Sequence, residues 1–138
     1  MNDNNPDSYT LFFDGCSKGN PGKAAAGAVI YRNQIEIYSQ SSFVGNKTTN
    51  NVAEYSALIM GLEKAVGLNI NILHFKGDSM LAIKQLRGEF KVKSPSIAPL
   101  FQRAKQLEKQ ISKVTYEHVY REYNKRADQL ANEGLILN

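Results

Sequence analysis

The segment Tyr9–Asp14, with the sequence YTLFFD, gives the clearest structural signal in the chain. Its apolar, β-favouring residues predict a buried strand that ends on a carboxylate. The next segment, Gly15–Gly22 (GCSKGNPG), is rich in Gly, Asn and Pro and predicts a loop. A buried strand that delivers one Asp to its carboxyl end before such a loop can place a charged group at a site. An ordinary strand whose last residue begins an Asx-turn would have the same local sequence.

A second apolar segment, Ile72–Gly77 (ILHFKG), is also followed by an aspartate, Asp78. We predict a strand over residues 70–76. Strands that are joined through helices are expected to be parallel, with right-handed crossovers. Because neighbouring strands lie about 4.8 Å apart, Asp14 and Asp78 would emerge side by side if these two strands are adjacent.

Hydrophobic period and turn residues predict the other elements. Strands are predicted over 26–31, 35–43 and 114–119, and helices over about 50–67, 80–86, 95–113 and 124–135. We assign the N-cap of the first helix to Asn50 or Asn51 and that of the third to Ser94, with Pro95 at the first helical position. The order β-β-β-α-β-α-α-β-α predicts an α/β fold with a five-stranded mixed sheet, in the order 3-2-1-4-5, flanked by helices. Residues 1–8 are predicted to be a flexible tail and 9–138 a single domain.

Composition and charge narrow the class of protein. The 138 residues fit one domain with a single core, and the formal net charge is +4. The segment 84–113 alone has a net charge of +6, which indicates either a footprint for a polyanion or a solvated helix face. Cys16 is the only cysteine, so an internal disulfide is excluded and a zinc site is not expected. With no signal-peptide pattern and no apolar run of about 18 residues, we expect a cytoplasmic protein without membrane contact.

Four carboxylates stand at positions where a site is expected. Asp14 and Asp78 end strands, whereas Glu54 and Asp128 lie in the first turns of predicted helices. Each also has an ordinary structural explanation. Glu54 could form a capping box with Asn51, Asp78 could cap the next helix, and Asp128 could complement the helix dipole.

Considered together, the four carboxylates favour a metal site. Like charges within a few ångströms cannot all stay ionised without compensating cations. An all-oxygen cluster without His or Cys suits Mg²⁺ or Mn²⁺. Two such ions, about 3.5–4 Å apart, can hold both the attacking and the leaving oxygen of a phosphodiester.

Five sequence blocks, in order along the chain, resemble type 1 ribonuclease H. They are Phe13–Gly15 (FDG), Gly19–Gly22 (GNPG), Thr49–Glu54 (TNNVAE), Gly77–Ser79 (GDS) and Asn124–Asn132 (NKRADQLAN). The resemblance implies the ribonuclease H-like fold and endonucleolytic cleavage of the RNA strand of RNA/DNA hybrids, leaving 5′-phosphate and 3′-hydroxyl ends. It further implies a site with two Mg²⁺ ions, for which Mn²⁺ can substitute. The metal ligands that it implies are Asp14, Glu54, Asp78 and Asp128.

The chain departs from many bacterial members of that family in two respects. The segment Gly88–Lys93 is too short for their basic, Trp-containing protrusion, and the chain has no Trp. Hybrid affinity is therefore expected to depend on basic residues within 84–113, among them Lys84, Lys91 and Lys93. Met80 stands where a polar Gln is common, and we assign it no contact.

The resemblance also implies contacts with the substrate. It places Asn20, Asn50 and Asn51 on the minor groove of the hybrid, where amides can read the 2′-hydroxyl pattern. Turns and helix caps are the structural alternative for all three. The further predicted substrate contacts are Gly15, Ser17, Gly19 and Ser79.

Two residues compete for a role beside the fourth carboxylate. Family members often place a His or a basic residue there, thought to help product leave. His118 has the family-like spacing to Asp128 but ends a predicted strand, whereas Arg121 lies in a polar loop. A guanidinium is always charged and suits a phosphate oxygen, so we favour Arg121.

Two alternative functions are kept. One is a DNA-cleaving nuclease of the same fold, against which the Thr49–Glu54 block argues. The other is a nucleic-acid-binding module that has lost catalysis, against which the four carboxylates argue. The expected partner is an RNA/DNA hybrid duplex, bound by a monomer.

Overall fold

The computed structural model describes residues 7–137. Its elements are β1 (Tyr9–Gly19), β2 (Gly22–Arg32), β3 (Ile35–Thr48), α1 (Asn50–Gly67), β4 (Ile72–Gly77), α2 (Met80–Leu86), α3 (Ala98–Glu108), β5 (Lys113–His118) and α4 (Lys125–Gly134). A single 3₁₀ turn, Arg121–Tyr123, precedes α4. The predicted order of strands and helices is confirmed.

The five strands form one mixed sheet in the predicted order β3-β2-β1-β4-β5. β1, β2 and β3 are antiparallel neighbours, whereas β1, β4 and β5 run parallel. The main core, which includes Leu11, Phe13, Leu58 and Phe75, joins the sheet to α1, α2 and α3. A smaller cluster centred on Val29 packs against α4 on the opposite face. Within residues 7–137, the helices are too short or too polar to span a bilayer.

The predicted tail covers two residues that the structure describes. The backbone N–H of Ser8 donates to Asn33 Oδ1 at 2.8 Å, and Asp7 forms an ion pair with Arg32 at 2.7 Å. Both contacts reach the turn between β2 and β3. Residues 1–6 lie outside the described part of the chain, so flexibility there stays a prediction.

The predicted glycine-rich loop is wrong, because this segment belongs to a long hairpin. β1 continues to Gly19 and β2 begins at Gly22, with Asn20 and Pro21 as the turn. Small residues on both strands allow close pairing, and the pairing satisfies backbone groups that a loop would leave to water. This pairing outweighs the weak intrinsic strand preference of Gly and Ser.

Two predicted N-caps are wrong, although α1 begins at Asn50 as expected. α1 is capped by Thr49, whose Oγ1 accepts a hydrogen bond from the Val52 N–H at 3.2 Å, one residue before Asn50. α3 begins at Ala98, four residues after Ser94, and Pro99 lies in its first turn. Proline is compatible with the first turn because its missing N–H would have no helical partner there.

α4 crosses β2 at very short range. A Cβ at Gly27 would lie 2.5 Å from both the Ala127 carbonyl oxygen and the Ala131 nitrogen, so a side chain there would push the helix away. Ala127, Leu130 and Ala131 are buried, as predicted. Since Asp14 pairs with Gly27 in the β1–β2 register, this approach brings the start of α4 next to Asp14.

Candidate active site

Four elements bring the predicted carboxylates together. Asp14 comes from β1, Glu54 from the second turn of α1, Asp78 from the end of β4 and Asp128 from the first turn of α4. One carboxylate oxygen from each of Asp14, Glu54 and Asp78 lies within 4.8 Å of the other two. Asp128 lines the same pocket, and its negative charge acts on Asp14. We call these four residues the carboxylate cluster.

The parallel register of β1 and β4 explains the meeting of Asp14 and Asp78. Phe13 is the register partner of Gly77, so Asp14, which continues β1, and Asp78, which directly follows β4, lie at the same level. The expectation that the two aspartates emerge side by side is therefore confirmed. Asp14 is buried and Asp78 is half-buried, which leaves one side of the cluster open to a substrate.

Glu54 is fixed by a hydrogen bond across the fold. The backbone N–H of Gly15 donates to Glu54 Oε1 at 2.9 Å, in a buried position. A Cβ on Gly15 would lie only 2.4 Å from the Ala53 carbonyl carbon and the Glu54 nitrogen. Glycine therefore allows α1 to approach β1 closely enough for this bond. The capping-box interpretation of Glu54 is wrong.

The carboxylate cluster raises the pKa of its buried members. Burial, followed by the negative charges of Asp78 and Asp128, raises the pKa of Asp14 to about 8. Burial and the charges of Asp14 and Asp78 also raise the pKa of Glu54 well above its ordinary range. The cluster therefore holds more negative charge than the protein around it compensates, and a divalent cation would relieve the repulsion.

The donor set fits a hard divalent cation. All the clustered donors are carboxylate oxygens, which Mg²⁺ and Mn²⁺ prefer. Among the described residues lining the pocket, Arg121 carries the positive charge, and its side chain is 81% exposed. Its Nη2 lies 3.7 Å from Asp128 Oδ1, a distance at which an exposed ion pair contributes little.

The pocket gathers about half of the predicted site residues. It is lined by Asp14, Gly15, Cys16, Ser17, Asn50, Glu54, Asp78, Arg121, Asp128 and Asn132. The predicted residues outside this lining are Gly19, Asn20, Asn51, Ser79, Lys84, Lys91, Lys93 and His118. Cys16 and Asn132 also line the pocket, although neither was predicted as a site residue.

Three of the predicted substrate contacts hold the rim of the pocket together. Asn20 Oδ1 accepts from the backbone N–H of Asn50 at 3.0 Å, which ties the β1–β2 turn to the start of α1. The Ser17 hydroxyl donates to the carbonyl oxygen of Thr48 at 3.1 Å. Asn20 and Ser17 therefore have a structural role at the turn, and the side chains of Asn20 and Asn50 are exposed.

The predicted basic residues lie on a different surface. We call residues 84–93 the basic segment; it covers the end of α2 and the start of the connection to α3. Lys91 and Lys93 are exposed, and Lys84 Nζ lies 4.9 Å above the ring of Phe90, which is itself 47% exposed. Arg87 donates from Nε to the Tyr116 carbonyl oxygen at 2.9 Å and is thereby anchored.

His118 and Cys16 lie close to the cluster without entering it. His118 is the register partner of Gly77, next to Asp78, and its ring meets that of Tyr120 edge-on at 5.7 Å. The Cys16 thiol donates to the Ala131 carbonyl oxygen at 3.3 Å. Burial and the charge of Asp14 raise the pKa of that thiol, so Cys16 is not an activated nucleophile.

Two asparagines, one at the start of α4 and one within it, join the site without having been predicted as site residues. Asn124 is 1% exposed and donates to Asp78 Oδ2 at 3.1 Å, whereas Asn132 lines the pocket one turn beyond Asp128. Their spacing of four residues on either side of Asp128 would have indicated a shared helix face.

Comparisons with known proteins agree with this geometry. A family profile described as "Reverse transcriptase-like" matches residues 12–134. A ribonuclease HI of Halobacterium salinarum is 40% identical over 124 residues, which are 90% of this chain and 62% of that protein. A bifunctional protein of Mycobacterium tuberculosis is 40% identical over 123 residues, which are 88% of this chain and only 34% of that protein.

Solved structures match over most of their length. The crystal structure of ribonuclease H1 from Halobacterium salinarum superposes with a TM-score of 0.89 at 36% identity, covering 95% of this chain and 99% of that one. LC11 ribonuclease H1, solved in complex with an RNA/DNA hybrid, gives a TM-score of 0.87 at 32% identity, covering 93% and 96%.

Proposed function

Because the chain belongs to the ribonuclease H family, we propose that it is an endonuclease that hydrolyses the RNA strand of RNA/DNA hybrids. The products would carry 5′-phosphate and 3′-hydroxyl ends. The observation that carries the proposal is the cluster of Asp14, Glu54 and Asp78, whose oxygens lie within 4.8 Å of one another. Asp128 beside them completes a set that suits phosphodiester chemistry.

Two Mg²⁺ ions, or Mn²⁺ as a substitute, would be held by the carboxylate cluster when substrate is bound. Such ions supply charge stabilisation to the attacking and leaving oxygens of an in-line displacement. The protein contributes a rigid set of donors, because each carboxylate comes from a different element of the core. Rigid placement matters since small displacements of catalytic groups are costly in rate.

The residues around the cluster suit the backbone of a nucleic acid. Ser17 and Asn50 line the pocket, and Asn20 supports Asn50 through the hydrogen bond at 3.0 Å. We assign them, with Asn51, to the minor groove of the hybrid, where a 2′-hydroxyl distinguishes RNA from DNA. Backbone and sugar contacts carry no direct sequence information, so cleavage should be largely independent of sequence.

The remaining assignments concern affinity and cellular setting. The basic segment lies apart from the pocket and suits the phosphates of a bound duplex, which would raise affinity through counterion release. A monomer in a reducing, cytoplasmic setting is our prediction, supported by the single cysteine and by a site that one chain builds alone.

A substrate panel tests the proposal. The protein is incubated with Mg²⁺ and an end-labelled RNA/DNA hybrid, double-stranded DNA or double-stranded RNA of the same sequence, with Asp78→Asn as the inactive control. We expect internal cleavage of the RNA strand of the hybrid alone, with 5′-phosphate and 3′-hydroxyl ends. Cleavage of double-stranded DNA, or binding of the hybrid without cleavage, would contradict the proposal and favour one of the two alternatives.

A further inference from the structure

Asn124 connects three parts of the carboxylate cluster. Its Nδ2 donates to the Phe13 carbonyl oxygen at 3.0 Å and to Asp78 Oδ2 at 3.1 Å. Its backbone carbonyl accepts from the Asp128 N–H at 3.0 Å. Phe13 directly precedes Asp14 in β1. A single buried residue therefore contacts the strand that carries Asp14, the side chain of Asp78 and the backbone of Asp128.

The orientation of the Asn124 amide follows from its neighbours. The Phe13 carbonyl and the Asp78 carboxylate both accept hydrogen bonds, so the NH₂ group must face them. The other end of the amide, Oδ1, is buried and has no hydrogen-bond partner among the described residues. An unpaired buried acceptor is destabilising, so this arrangement is not the one that stability alone would select.

Helix capping does not explain Asn124. It occupies the N-cap position of α4, where an asparagine side chain usually accepts from a backbone N–H of the first turn. Here the side chain makes no capping hydrogen bond and turns towards β1 and β4 instead. The Asn124 side chain therefore contacts Phe13 and Asp78 and does not cap α4.

We propose that Asn124 is a positioning residue that holds Asp78 at the distance from Asp14 and Asp128 that a divalent cation requires. This inference rests on the proposed function, since it assigns the cluster to metal binding. The Nδ2 group donates to Oδ2 of Asp78 and thereby restricts the rotation of that carboxylate. Groups that orient metal ligands through hydrogen bonds commonly affect metal affinity as strongly as activity.

Metal binding to the protein alone provides the test. Calorimetric titration with Mn²⁺ compares the wild type with Asn124→Leu, which removes both donors at similar volume, and Asn124→Ser, which keeps a good N-cap but is too short to reach Asp78. Gln85→Met is the matched control, because Gln85 is buried, accepts from the Tyr55 hydroxyl at 2.7 Å and does not line the carboxylate pocket. Circular dichroism and thermal unfolding establish that each variant folds.

We expect both Asn124 variants to bind Mn²⁺ about 10-fold or more weakly, and Gln85→Met to bind like the wild type. With hybrid substrate, kcat should fall in the Asn124 variants and partly recover at high Mg²⁺, while KM for the hybrid stays unchanged. A folded Asn124→Ser with wild-type Mn²⁺ affinity would overturn the proposal. Failure of both variants to fold would also overturn it, because Asn124 would then serve the fold. A wild type that binds Mn²⁺ without cleaving hybrid would refute the proposed function and leave this comparison valid.

Discussion

The carboxylate cluster and the basic segment differ in what holds their charged groups in place. The cluster takes its members from four elements, and its geometry is fixed by strand register, by the Gly15–Glu54 hydrogen bond and by Asn124. The basic segment presents Lys91 and Lys93 on exposed, long side chains. The carboxylate cluster is partly buried and held by hydrogen bonds, whereas Lys91 and Lys93 of the basic segment are exposed to solvent.

The two regions suit two different requirements of a nucleic-acid substrate, which are catalysis at one phosphodiester and binding of the charged backbone. Chemistry at a phosphodiester depends on atoms held to a fraction of an ångström, which only the buried region provides. Attraction of a polyanion depends on net charge near the surface and tolerates movement. We therefore expect changes in the carboxylate cluster to act on kcat and changes in the basic segment to act on KM.

The largest effect is expected from Asp14→Asn or Asp78→Asn. Each change removes a ligand that two ions would share, so Mg²⁺-dependent cleavage should fall by roughly 100-fold or more, given that outer-shell changes alone cost about 10–100-fold. Steady-state cleavage of labelled hybrid measures the reduction, and circular dichroism checks the fold. Wild-type rates in either variant would remove the basis for a shared metal site.

Gly15→Ala should have the next largest effect. The added Cβ would meet the α1 backbone at 2.4 Å, so α1 or β1 must shift and the hydrogen bond to Glu54 lengthens. We expect kcat to fall by about 10-fold, in the range seen for groups that orient metal ligands. Gly67→Ala is the matched control, because a Cβ there meets nothing within 4 Å. Equal activity of the two variants would show that this close approach does not matter.

A smaller effect, and one on KM, is expected from reversing charge in the basic segment. The triple variant Lys84→Glu, Lys91→Glu and Lys93→Glu should raise KM for the hybrid and leave kcat nearly unchanged. Because fewer phosphates are then neutralised on binding, the plot of log K against log salt concentration should flatten, by about 0.9 for each such phosphate. An unchanged slope would show that the segment is only a solvated face.

The smallest effect is expected beside Asp128. Arg121 lies 3.7 Å from that carboxylate and lines the pocket, whereas His118 is held at the end of β5. Arg121→Ala should lower kcat by a few-fold, on the order of one exposed ion pair, and more than His118→Ala does. A larger loss of kcat in His118→Ala, with Arg121→Ala like the wild type, would reverse the assignment.

Much of the fold was predictable because its signals are local. The period of α1 and the apolar runs of β1 and β4 are visible in sequence, and a right-handed crossover through α1 allows β1 and β4 to be parallel neighbours. The hairpin formed by Gly15–Gly22 was not predictable in this way because its stability comes from pairing between strands, which the composition of one strand does not reveal.

The four carboxylates of the site were predictable from the sequence, whereas the residues that hold them in place were not. Asp78 directly follows β4, as expected, whereas Asp14 lies within β1, at the point where the pairing of β1 with β4 ends. The role of Glu54 was ambiguous because its partner Gly15 lies 39 residues away, and that of Asn124 was hidden because its partner Phe13 lies 111 residues away. Hydrogen bonds across such separations depend on tertiary packing, which a single sequence does not specify.

The dependence of the single-turnover cleavage rate on Mg²⁺ concentration tests the central claim most directly. The rate is measured on end-labelled hybrid with protein in excess, from far below to above saturation by Mg²⁺. If two ions act together in the carboxylate cluster, the rate at low Mg²⁺ should rise with the square of its concentration, and Asp14→Asn should abolish it. A rate that rises with the first power of Mg²⁺, or that persists when Mg²⁺ is chelated, would contradict the account.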